Sequence, residues 1–339
     1  MSRARIGLDA RLTRQLSAGM QSYVRELVAR LPSVAPEYAY VTFERGGNFG
    51  FAEQVKLPRA MRRAKLDLIH LLSQYAPVFV PRPFVVTIHD LIHLRFPQYF
   101  KSKVGPYYAT VVRRTCARAS RVITDDERTI DDLREFLGVD PAKVRVIPLG
   151  AAEAFQAGAE PRVRARAYVL YVGNHREHKD LTTLFDAWSA LPETLEVDLL
   201  VTGPDDFAGE LQRRRRSGRE IVALGDVSTT ELAAYYAGAR AFVMPALREG
   251  FGLPILEAMT VGCPVVACED AVPRPLAAAA LRFSARDGAQ LRGHLERLLG
   301  DEVFRREIVE RGRHAASALT WDRCARATAD VYGEVLQEC

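Results

Sequence analysis

Residues 241–258 read AFVMPALREGFGLPILEA, an apolar run followed by a glycine-containing loop and a helical pattern. The run AFVMPA is short and continuously apolar, as in a parallel strand covered on both faces. Pro254 is acceptable in the first turn of a helix, so we predict that LPILEAMTVG is helical. The segment therefore predicts one βα unit of a doubly wound α/β domain, with Glu249 in the loop at the carboxyl end of the strand.

The same alternation of strand and helix extends along the whole chain. A first series of strand-like runs is ARIGLDA, YAYVTF, LDLIHLL, FVVTIHD, RVITDD and KVRVIPLG, and a second is YVLYVGN, VDLLVTG, EIVALGD, AFVMPA, CPVVACE and LRFSARD. Parallel strands need crossover helices, so the pattern predicts two Rossmann-like, doubly wound domains of class α/β. We place them at residues 1–155 and 156–319, and we expect ligands in the cleft that the two domains face.

Composition narrows the class of protein. The chain has 339 residues, of which 48% are hydrophobic and 26% charged, as in ordinary globular proteins. No stretch approaches the roughly 20 consecutive apolar residues of a membrane span, and the amino terminus lacks the apolar core of a signal peptide, so we expect a cytoplasmic protein. The cysteines form no CxxC or Cys/His cluster, which predicts buried small residues rather than disulfides or a zinc site. They are Cys116, Cys263, Cys268, Cys324 and Cys339.

Positive charge is concentrated in the first half of the chain. Residues 1–155 contain 24 Lys and Arg against 15 Asp and Glu, whereas residues 156–339 contain 23 against 27. Part of the excess lies in the aromatic-rich segment 99–121, which suits either an anionic membrane surface or a solvated helical face. The run Arg213–Arg216 is more typical of a solvated helix end.

The two glutamates of the opening segment predict a ligand. Gly250 and Gly252 leave the backbone free to approach that ligand, and the helix that follows offers its free N–H groups to an anion. Carboxylates repel phosphate but accept hydrogen bonds from the hydroxyls of a sugar or ribose. Glu249 and Glu257 on either side of an anion site therefore indicate two polyol groups flanking a diphosphate, which is the chemistry of a nucleotide sugar.

The stretch REGFGLPILEAMTVGCPVVA (248–267) resembles the signature of the retaining glycosyltransferases of family four, which have the GT-B fold and a Glu-x7-Glu motif. Five further stretches resemble segments of that family along almost the whole chain. They are the first glycine loop and helix (17–32), the His-Asp strand end (87–97), the phosphate-binding loop (171–188), the base-binding turn (224–246) and the closing helix (320–336). The resemblance implies that residues 1–155 form the acceptor-side domain, that 156–319 bind the donor, and that a C-terminal helix at about 320–339 returns to the first domain.

The resemblance also implies roles for individual residues. Glu249 would bond donor-sugar hydroxyls, Glu257 the ribose hydroxyls, and Lys179 the donor diphosphate, where a cation stabilises the departing nucleotide. His89 would bond a donor-sugar hydroxyl or place its own backbone carbonyl toward the anomeric centre, and Gly19 would let the diphosphate approach the first domain. The remaining implied contacts are backbone N–H groups of Phe251, Gly252 and Leu253 to sugar and phosphate, and main chain near Val227 to the base. His70 and His93 are predicted to be structural, and Asp90 to cap the segment that follows it.

Some positions depart from the family pattern. Asn174 follows Gly173 where the family usually has an arginine, and we expect Arg176 to supply that charge. Ala246 replaces a usual serine before the first glutamate. Asp126 stands where a serine usually caps a helix, a substitution that a cap tolerates.

The resemblance thus implies a retaining glycosyltransferase. We expect it to be metal-independent, since no Asp-x-Asp motif occurs and cationic side chains with helix N-termini replace a metal. GDP-mannose is the favoured donor, and the acceptor is a glycan or lipid-linked saccharide. We expect no cofactor and no nucleic acid partner, and a peripheral contact of the first domain with an anionic membrane. UDP- or dTDP-sugars stay open as donors. A nucleotide-sugar epimerase on the same scaffold, a glycoside phosphorylase and a non-catalytic binding protein are the rival classes.

Overall fold

The computed structural model of the protein describes residues 3–12, 16–47, 52–100, 104–156, 158–206 and 219–338. The chain forms two compact units, Met1–Gly150 with Thr320–Cys339, and Ala151–Leu319. Each unit contains one six-stranded parallel sheet, and short helical segments connect the strands. The predicted α/β class with two Rossmann-like units is confirmed.

The first unit is built on a sheet of order β2-β1-β3-β4-β5-β6. Its strands are β1 (Ala4–Asp9), β2 (Tyr38–Phe43), β3 (Leu68–Leu71), β4 (Phe84–Thr87), β5 (Arg121–Thr124) and β6 (Val144–Val146). The central strands β3 and β4 are buried at every position, because helices cover both faces of the sheet. The carboxyl ends of all six strands lie at one edge of the sheet, since neighbouring strands are parallel.

Helices of the first unit follow the strands at that edge. They are α1 (Ala18–Val34), α2 (Leu57–Arg63), α3 (Ile92–Arg95), α4 (Val104–Tyr107), α5 (Arg113–Arg118) and α6 (Arg128–Leu137). Residues Ala52–Lys56 and Tyr108–Val112 are π-helical, and Pro97–Tyr99 and Pro141–Lys143 are 3₁₀ turns. Asp90 and Asp126 accept hydrogen bonds from the backbone N–H groups of Ile92 and Arg128, both at 3.0 Å. The N-cap residues of α3 and α6 are Leu91 and Glu127, so the two carboxylates bond the first helical N–H from one position before the cap.

The second unit is built on a sheet of order β12-β11-β10-β7-β8-β9. Its strands are β7 (Ala167–Tyr171), β8 (Val197–Val201), β9 (Ile221–Ala223), β10 (Ala241–Met244), β11 (Val265–Cys268) and β12 (Leu281–Phe283). From β7 the chain adds β8 and β9 on one side and then β10, β11 and β12 on the other, so the strand order reverses between β7 and β10 as it does in the Rossmann order. A ligand site is expected there, at the carboxyl ends of those two strands.

Helices of the second unit begin just inside the predicted linker. They are α7 (Glu153–Gln156), α8 (Leu181–Ser189), α9 (Thr229–Gly238), α10 (Leu253–Val261), α11 (Gly288–Gly300) and α12 (Glu302–Ser317), with 3₁₀ turns at Glu177–Lys179, Glu269–Ala271 and Arg274–Leu276. Phe155 on α7 packs edge-on against Tyr236 on α9, with ring centroids 6.0 Å apart. The second unit therefore starts at Ala151, a few residues before the boundary we placed at 155.

The last helix, α13 (Trp321–Gln337), belongs to the first unit. The Thr320 side chain caps it by accepting a hydrogen bond from the Arg323 N–H at 3.2 Å. A Cβ on Gly150 would lie 2.1 Å from the Trp321 backbone nitrogen, so only glycine fits where the first unit meets the start of this helix. Arg30 on α1 pairs with Asp322 on α13 at 2.7 Å.

A buried polar chain fastens α13 to the first sheet. His70 on β3 bonds the Tyr332 hydroxyl through Nδ1 at 2.7 Å and the Thr87 hydroxyl through Nε2 at 2.8 Å. The Thr87 hydroxyl also bonds the Tyr23 hydroxyl on α1 at 2.9 Å. Burial lowers the pKa of His70 to about 3, so the imidazole is neutral. His70 is thus structural, as predicted, and the chain supplies the partners that its sequence context did not reveal.

Several basic residues of the segment 99–121 serve the fold itself. Arg118 donates hydrogen bonds to the carbonyls of Val78 and Val80, and Arg121 pairs with Glu334 on α13 at 3.4 Å. Lys101, Lys103 and the run at 213–216 lie outside the described residues. The four described cysteines are all buried, as predicted, and Cys339 also lies outside the description.

Candidate functional site

The carboxyl ends of β7 and β10 bring two loops of the second unit together. The loop after β7 contains Gly173, Arg176 and Lys179, and the loop after β10 contains Glu249 and Gly252. The Leu247 N–H donates to the His178 carbonyl at 2.9 Å, which ties one loop to the other. The residues predicted from two separate motifs therefore meet at the switch point of the sheet.

The loop after β7 is held by hydrogen bonds to its neighbour β8. The Gly173 N–H donates to the Thr202 hydroxyl at 3.1 Å, and His175 bonds the Thr202 carbonyl through Nε2 at 2.7 Å. His175 Nδ1 lies 2.6 Å from an Asp206 carboxylate oxygen. Arg176 follows directly and is exposed, so its side chain stands at the surface of a fixed loop. Its predicted contact with phosphate stays a prediction.

Lys179 and Glu249 form an ion pair between Nζ and Oε1, and both side chains are largely buried. A buried charge that lost its partner would carry a desolvation cost, so each residue holds the other in place. We predicted both as ligand-binding residues but not as partners of one another. The pair presents one cation and one carboxylate side by side, a combination suited to a diphosphate next to a hydroxylated ring.

Glu257 lies in the second turn of α10 and is only partly exposed. Burial raises the pKa of its carboxyl to about 7, although a hydrogen bond at 3.4 Å from the Tyr236 hydroxyl acts in the opposite direction. A carboxyl with this pKa is partly protonated at neutral pH. Hydroxyl donors from a ligand would favour its ionised form. Tyr236 is a neighbour that sequence reasoning missed, and its place on a helix that follows β9 was the signal available.

The raised pKa of Glu257 predicts a pH-dependent gain of stability in Glu257→Gln. Between the ordinary value of 4.5 and the folded value of about 7 the folded protein keeps a proton that the unfolded chain loses, so the free energy of unfolding falls as pH rises through that window. Glutamine removes this loss, and the variant should be more stable than the wild type by about 2–3 kcal/mol at pH 8 and by less than about 1 kcal/mol at pH 5. Urea unfolding at both pH values measures this, with the exposed Glu307→Gln on α12 as control. Equal gains at the two pH values would contradict it.

Gly252 begins α10 in a left-handed conformation, with φ of 81°. An added Cβ would lie 3.2 Å from the Ala271 carbonyl oxygen, so both the backbone angle and the space favour glycine. Phe251 is buried beside it, and Leu253 and Pro254 form the first turn. The Ile255 and Leu256 N–H groups donate to the Gly252 carbonyl at 2.9 and 3.4 Å, and Pro254 has no N–H. An anion at this helix start would therefore be met by the N–H groups of Phe251, Gly252 and Leu253.

Gly252→Ala should therefore destabilise the protein by about 1–2 kcal/mol, the cost of a left-handed conformation for an L-residue. Gly293→Ala is the matched control, because Gly293 lies inside α11 with no atom within 4 Å of an added Cβ. That change should stabilise by about 0.5–1 kcal/mol, since alanine is the better helix former. Thermal unfolding of both variants checks the prediction, and similar shifts of the same sign would overturn it.

Val227 stands just before α9, which opens with a capping box. The Ser228 hydroxyl accepts from the Glu231 N–H at 3.3 Å, and the Glu231 carboxylate accepts from the Ser228 N–H at 3.1 Å. The predicted base contact is thus at the rigid start of a helix. Val227 itself is partly buried.

The first unit carries the other two predicted residues. Gly19 is the second residue of α1, whose cap is the Ser17 hydroxyl accepting from the Met20 N–H at 3.4 Å. His89 follows β4, and its Nδ1 lies 2.6 Å from a carboxylate oxygen of Asp125, which follows β5. Asp125 was not among the residues predicted. The signal that could have found it is its position at a strand's carboxyl end in VITDD, parallel to TIHD.

Two six-stranded parallel sheets, each in its own unit, fit the two Rossmann-like domains of a GT-B protein, and comparisons with known proteins agree. The family model described as "Glycosyltransferase Family 4" matches residues 20–155, and the one described as "Glycosyl transferases group 1" matches residues 166–301. The chain therefore belongs to the group 1 glycosyltransferases. The resemblance seen in the sequence is confirmed across both units.

Relatives in sequence include bacterial mannosyltransferases. O-antigen chain mannosyltransferase B of Escherichia coli is 28% identical over 290 residues, which cover 80% of this chain and 76% of that protein. O-antigen chain mannosyltransferase RfbU of Salmonella typhimurium is 27% identical over 186 residues, 53% of this chain and 50% of that protein. D-inositol 3-phosphate glycosyltransferase of Streptomyces bingchenggensis is 29% identical over 254 residues, 65% of this chain and 54% of that protein. The chain thus spans only about half of the latter two relatives.

Solved structures share the fold at low identity. Sucrose-phosphate synthase from Thermosynechococcus elongatus has a TM-score of 0.73 at 20% identity, covering 99% of this chain and 100% of that one. Anabaena Alr3699/HepE, solved with UDP and glucose, has a TM-score of 0.72 at 16% identity, covering 98% and 100%. WaaG, a glycosyltransferase involved in lipopolysaccharide biosynthesis, has a TM-score of 0.69 at 15% identity, covering 96% and 99%. No helix in the described part of the chain has the length and apolar character needed to cross a bilayer.

Proposed function

We propose that the protein transfers a sugar, with retention of configuration, from a nucleotide diphosphate to a hydroxyl of a glycan or lipid-linked saccharide. The observation that carries the proposal is the Lys179–Glu249 pair at the switch point of the second sheet, with Glu257 on the adjoining helix α10. A cation paired with one carboxylate, and a second carboxylate on the adjoining helix, suit a diphosphate with a hexose on one side and a ribose on the other. GDP-mannose is the favoured donor, because mannosyltransferases are among the relatives in sequence.

In this proposal the nucleotide leaves from the same face of the sugar that the acceptor approaches. The bond between the anomeric carbon and the phosphate oxygen breaks, the bond to the acceptor oxygen forms, and the leaving phosphate takes the acceptor proton. Charge that builds on the phosphate is stabilised by Lys179 and by the N–H groups at the start of α10. Glu249 holds the sugar ring through its hydroxyls. The protein supplies position and charge, and no side chain forms a covalent intermediate.

The proposed chemistry needs no metal, since Lys179 and the start of α10 provide positive charge at the diphosphate. Transfer rates in EDTA and in Mg²⁺ or Mn²⁺ should then agree within about twofold. A rate that collapses in EDTA and returns with one of these ions would contradict this part of the proposal.

UDP-sugars are the second candidate donors. The observation in their favour is that HepE, which shares the fold with a TM-score of 0.72, is solved with UDP and glucose. The base would contact the main chain near Val227 in either case. Hydrogen bonds between backbone and base edge, rather than the Lys179–Glu249 pair, would then set the choice of nucleotide.

We further propose that the enzyme works in the cytoplasm at the inner face of the membrane. Phe79 in the first unit is 57% exposed, and the Arg114 guanidinium lies 5.8 Å from the centre of its ring. An exposed aromatic beside arginine suits the headgroup region of an anionic bilayer. Co-sedimentation with vesicles of phosphatidylglycerol, lost in Phe79→Ser, would support this contact, and equal sedimentation of both forms would contradict it.

The test of the proposed function is release of nucleotide from GDP-, UDP-, dTDP- and ADP-sugars without added acceptor. Slow hydrolysis of one donor by the wild type, lost in Glu249→Ala, is the expected result, and the donor consumed names the nucleotide. Glu220→Gln, an exposed carboxylate at the opposite edge of the second sheet, should behave as the wild type. Interconversion of a donor without nucleotide release would favour an epimerase. If no donor releases nucleotide and no nucleotide shifts the melting temperature, the proposal is contradicted.

A further inference from the structure

His89 and Asp125 form a buried pair in the first unit. β4 and β5 are parallel neighbours in register Thr87↔Ile123, and the Ile88 N–H donates to the Ile123 carbonyl at 2.9 Å. The residues that follow the two strands are therefore side by side at the carboxyl edge of the sheet. His89 is 6% exposed and Asp125 2% exposed, and the 2.6 Å contact between Nδ1 and the carboxylate orients the imidazole.

The other ring nitrogen of His89 is buried, and no described residue forms a hydrogen bond of normal geometry with it. The Leu72 carbonyl lies near the ring without completing such a bond. The ring cannot turn to find one, because Nδ1 is anchored by Asp125 and Tyr23 packs against the ring edge-on at 4.7 Å. A buried polar atom left unpaired in a well-packed protein costs about 1–3 kcal/mol, which is a reason to look for a ligand. Nε2 is thus an anchored polar atom without a well-formed hydrogen bond in the described part of the chain.

We propose that Asp125 is a positioning residue for the transfer reaction, holding His89 so that Nε2 donates a hydrogen bond to an oxygen of the bound sugar substrate. The inference rests on the proposed function and extends it, because nothing in the family resemblance involves Asp125. The Nδ1–H group donates a hydrogen bond to the Asp125 carboxylate, which leaves Nε2 as the nitrogen that faces the substrate. Asp125 would orient His89 as the carboxylate of a catalytic triad orients its histidine, although no nucleophile takes part here.

The surrounding charges keep the imidazole protonated to higher pH. Burial lowers the pKa of His89, but the charge and hydrogen bond of Asp125 outweigh it, with help from Asp90 and the Leu72 carbonyl, so the pKa is raised. The other titratable groups that face the pair are His70, Tyr23, Asp126 and Cys324. His70 is a neutral imidazole and Tyr23 a hydroxyl. The Asp126 carboxylate bonds Arg128, and Cys324 is a buried thiol. Asp125 is therefore the group that decides the charge of His89.

Asp125→Asn tests the inference, and Asp126→Asn is its matched control. Asp126 is the next residue and equally buried, but its carboxylate bonds the Arg128 side chain at 2.7 Å and the Arg128 N–H at 3.0 Å. We expect Asp125→Asn to lower kcat by about 100-fold, as removal of one positioned donor does, while the KM for the donor changes less than threefold. As pH is raised, the rate of Asp125→Asn should also begin to fall at a lower pH than that of the wild type. The reason is that the imidazole of His89 loses its proton at a lower pH without the carboxylate. Asp126→Asn should keep kcat within about threefold once both variants are shown to be folded.

Nitrogen-15 NMR of the wild-type imidazole supplies a measurement that needs no variant. Nδ1 should stay protonated over the whole titration, and Nε2 should titrate above the ordinary value of about 6.5. A wild type that transfers sugar while Asp125→Asn matches it in kcat and pH profile would overturn the inference alone. A neutral His89 imidazole that carries its proton on Nε2 and none on Nδ1 would overturn the inference as well. A wild type that transfers no sugar from any donor would overturn the proposed function and this inference together.

Discussion

Glu249→Gln is expected to lower the rate of sugar transfer by about 10²–10³-fold, the loss typical of one preorganised polar group at a reacting centre. The carboxylate holds Lys179 in place and, in the proposed complex, would accept hydrogen bonds from the sugar hydroxyls. Glutamine keeps the shape of the side chain and removes its charge. Initial rates of transfer with the donor identified by nucleotide release measure the effect. Glu220→Gln serves as the control, because Glu220 is exposed at the amino end of β9. A Glu249→Gln enzyme within tenfold of the wild type would show that the carboxylate charge is not needed.

Lys179→Met should cost a similar factor of about 10²–10³ in rate, because the departing diphosphate loses its cation. The stability of the two variants should be coupled. Each single change leaves a largely buried charge without its partner, whereas the double variant Lys179→Met/Glu249→Gln removes both charges.

The double variant should therefore be more stable than the sum of the two single effects predicts, by about 1–3 kcal/mol. Urea unfolding of the four proteins gives this coupling directly. Additive effects within about 0.5 kcal/mol would mean that the ion pair is absent in solution.

The architecture was predictable because its signals are local. Buried parallel strands read as short apolar runs such as AFVMPA, and helices such as α10 begin where Pro254 allows them. The hydrogen bonds of Asp90 and Asp126 are local for the same reason, since each carboxylate bonds an N–H two residues ahead. The strand order needs contacts distant in sequence, but the rules of parallel sheets restrict it strongly.

The contacts that depend on strand order were not predictable from spacing. Lys179 and Glu249 are 70 residues apart and meet because β7 lies beside β10. His89 and Asp125 are 36 residues apart and meet because β4 lies beside β5. The sequence identified three of these four residues by motif, but each was assigned to a ligand and none to its protein partner.

Glu257 shows a different gap between sequence and structure. A glutamate on a helix reads as a solvated residue, and only the Glu-x7-Glu spacing marked it as functional. Its pKa of about 7 arises from burial beside Tyr236, which is a matter of packing between α9 and α10. No periodicity within one helix reports which of its polar residues faces another helix.

The central claim is that the second unit holds a nucleotide sugar with Glu257 on the nucleotide and Glu249 on the sugar. Calorimetric titration of the free nucleotide and of its sugar conjugate into wild type, Glu249→Gln and Glu257→Gln tests this most directly. We expect Glu257→Gln to weaken both ligands by a similar factor, and Glu249→Gln to remove most of the affinity that the sugar adds while changing that of the free nucleotide far less. If both variants bind both ligands as the wild type does, the two carboxylates are not ligands of a nucleotide sugar.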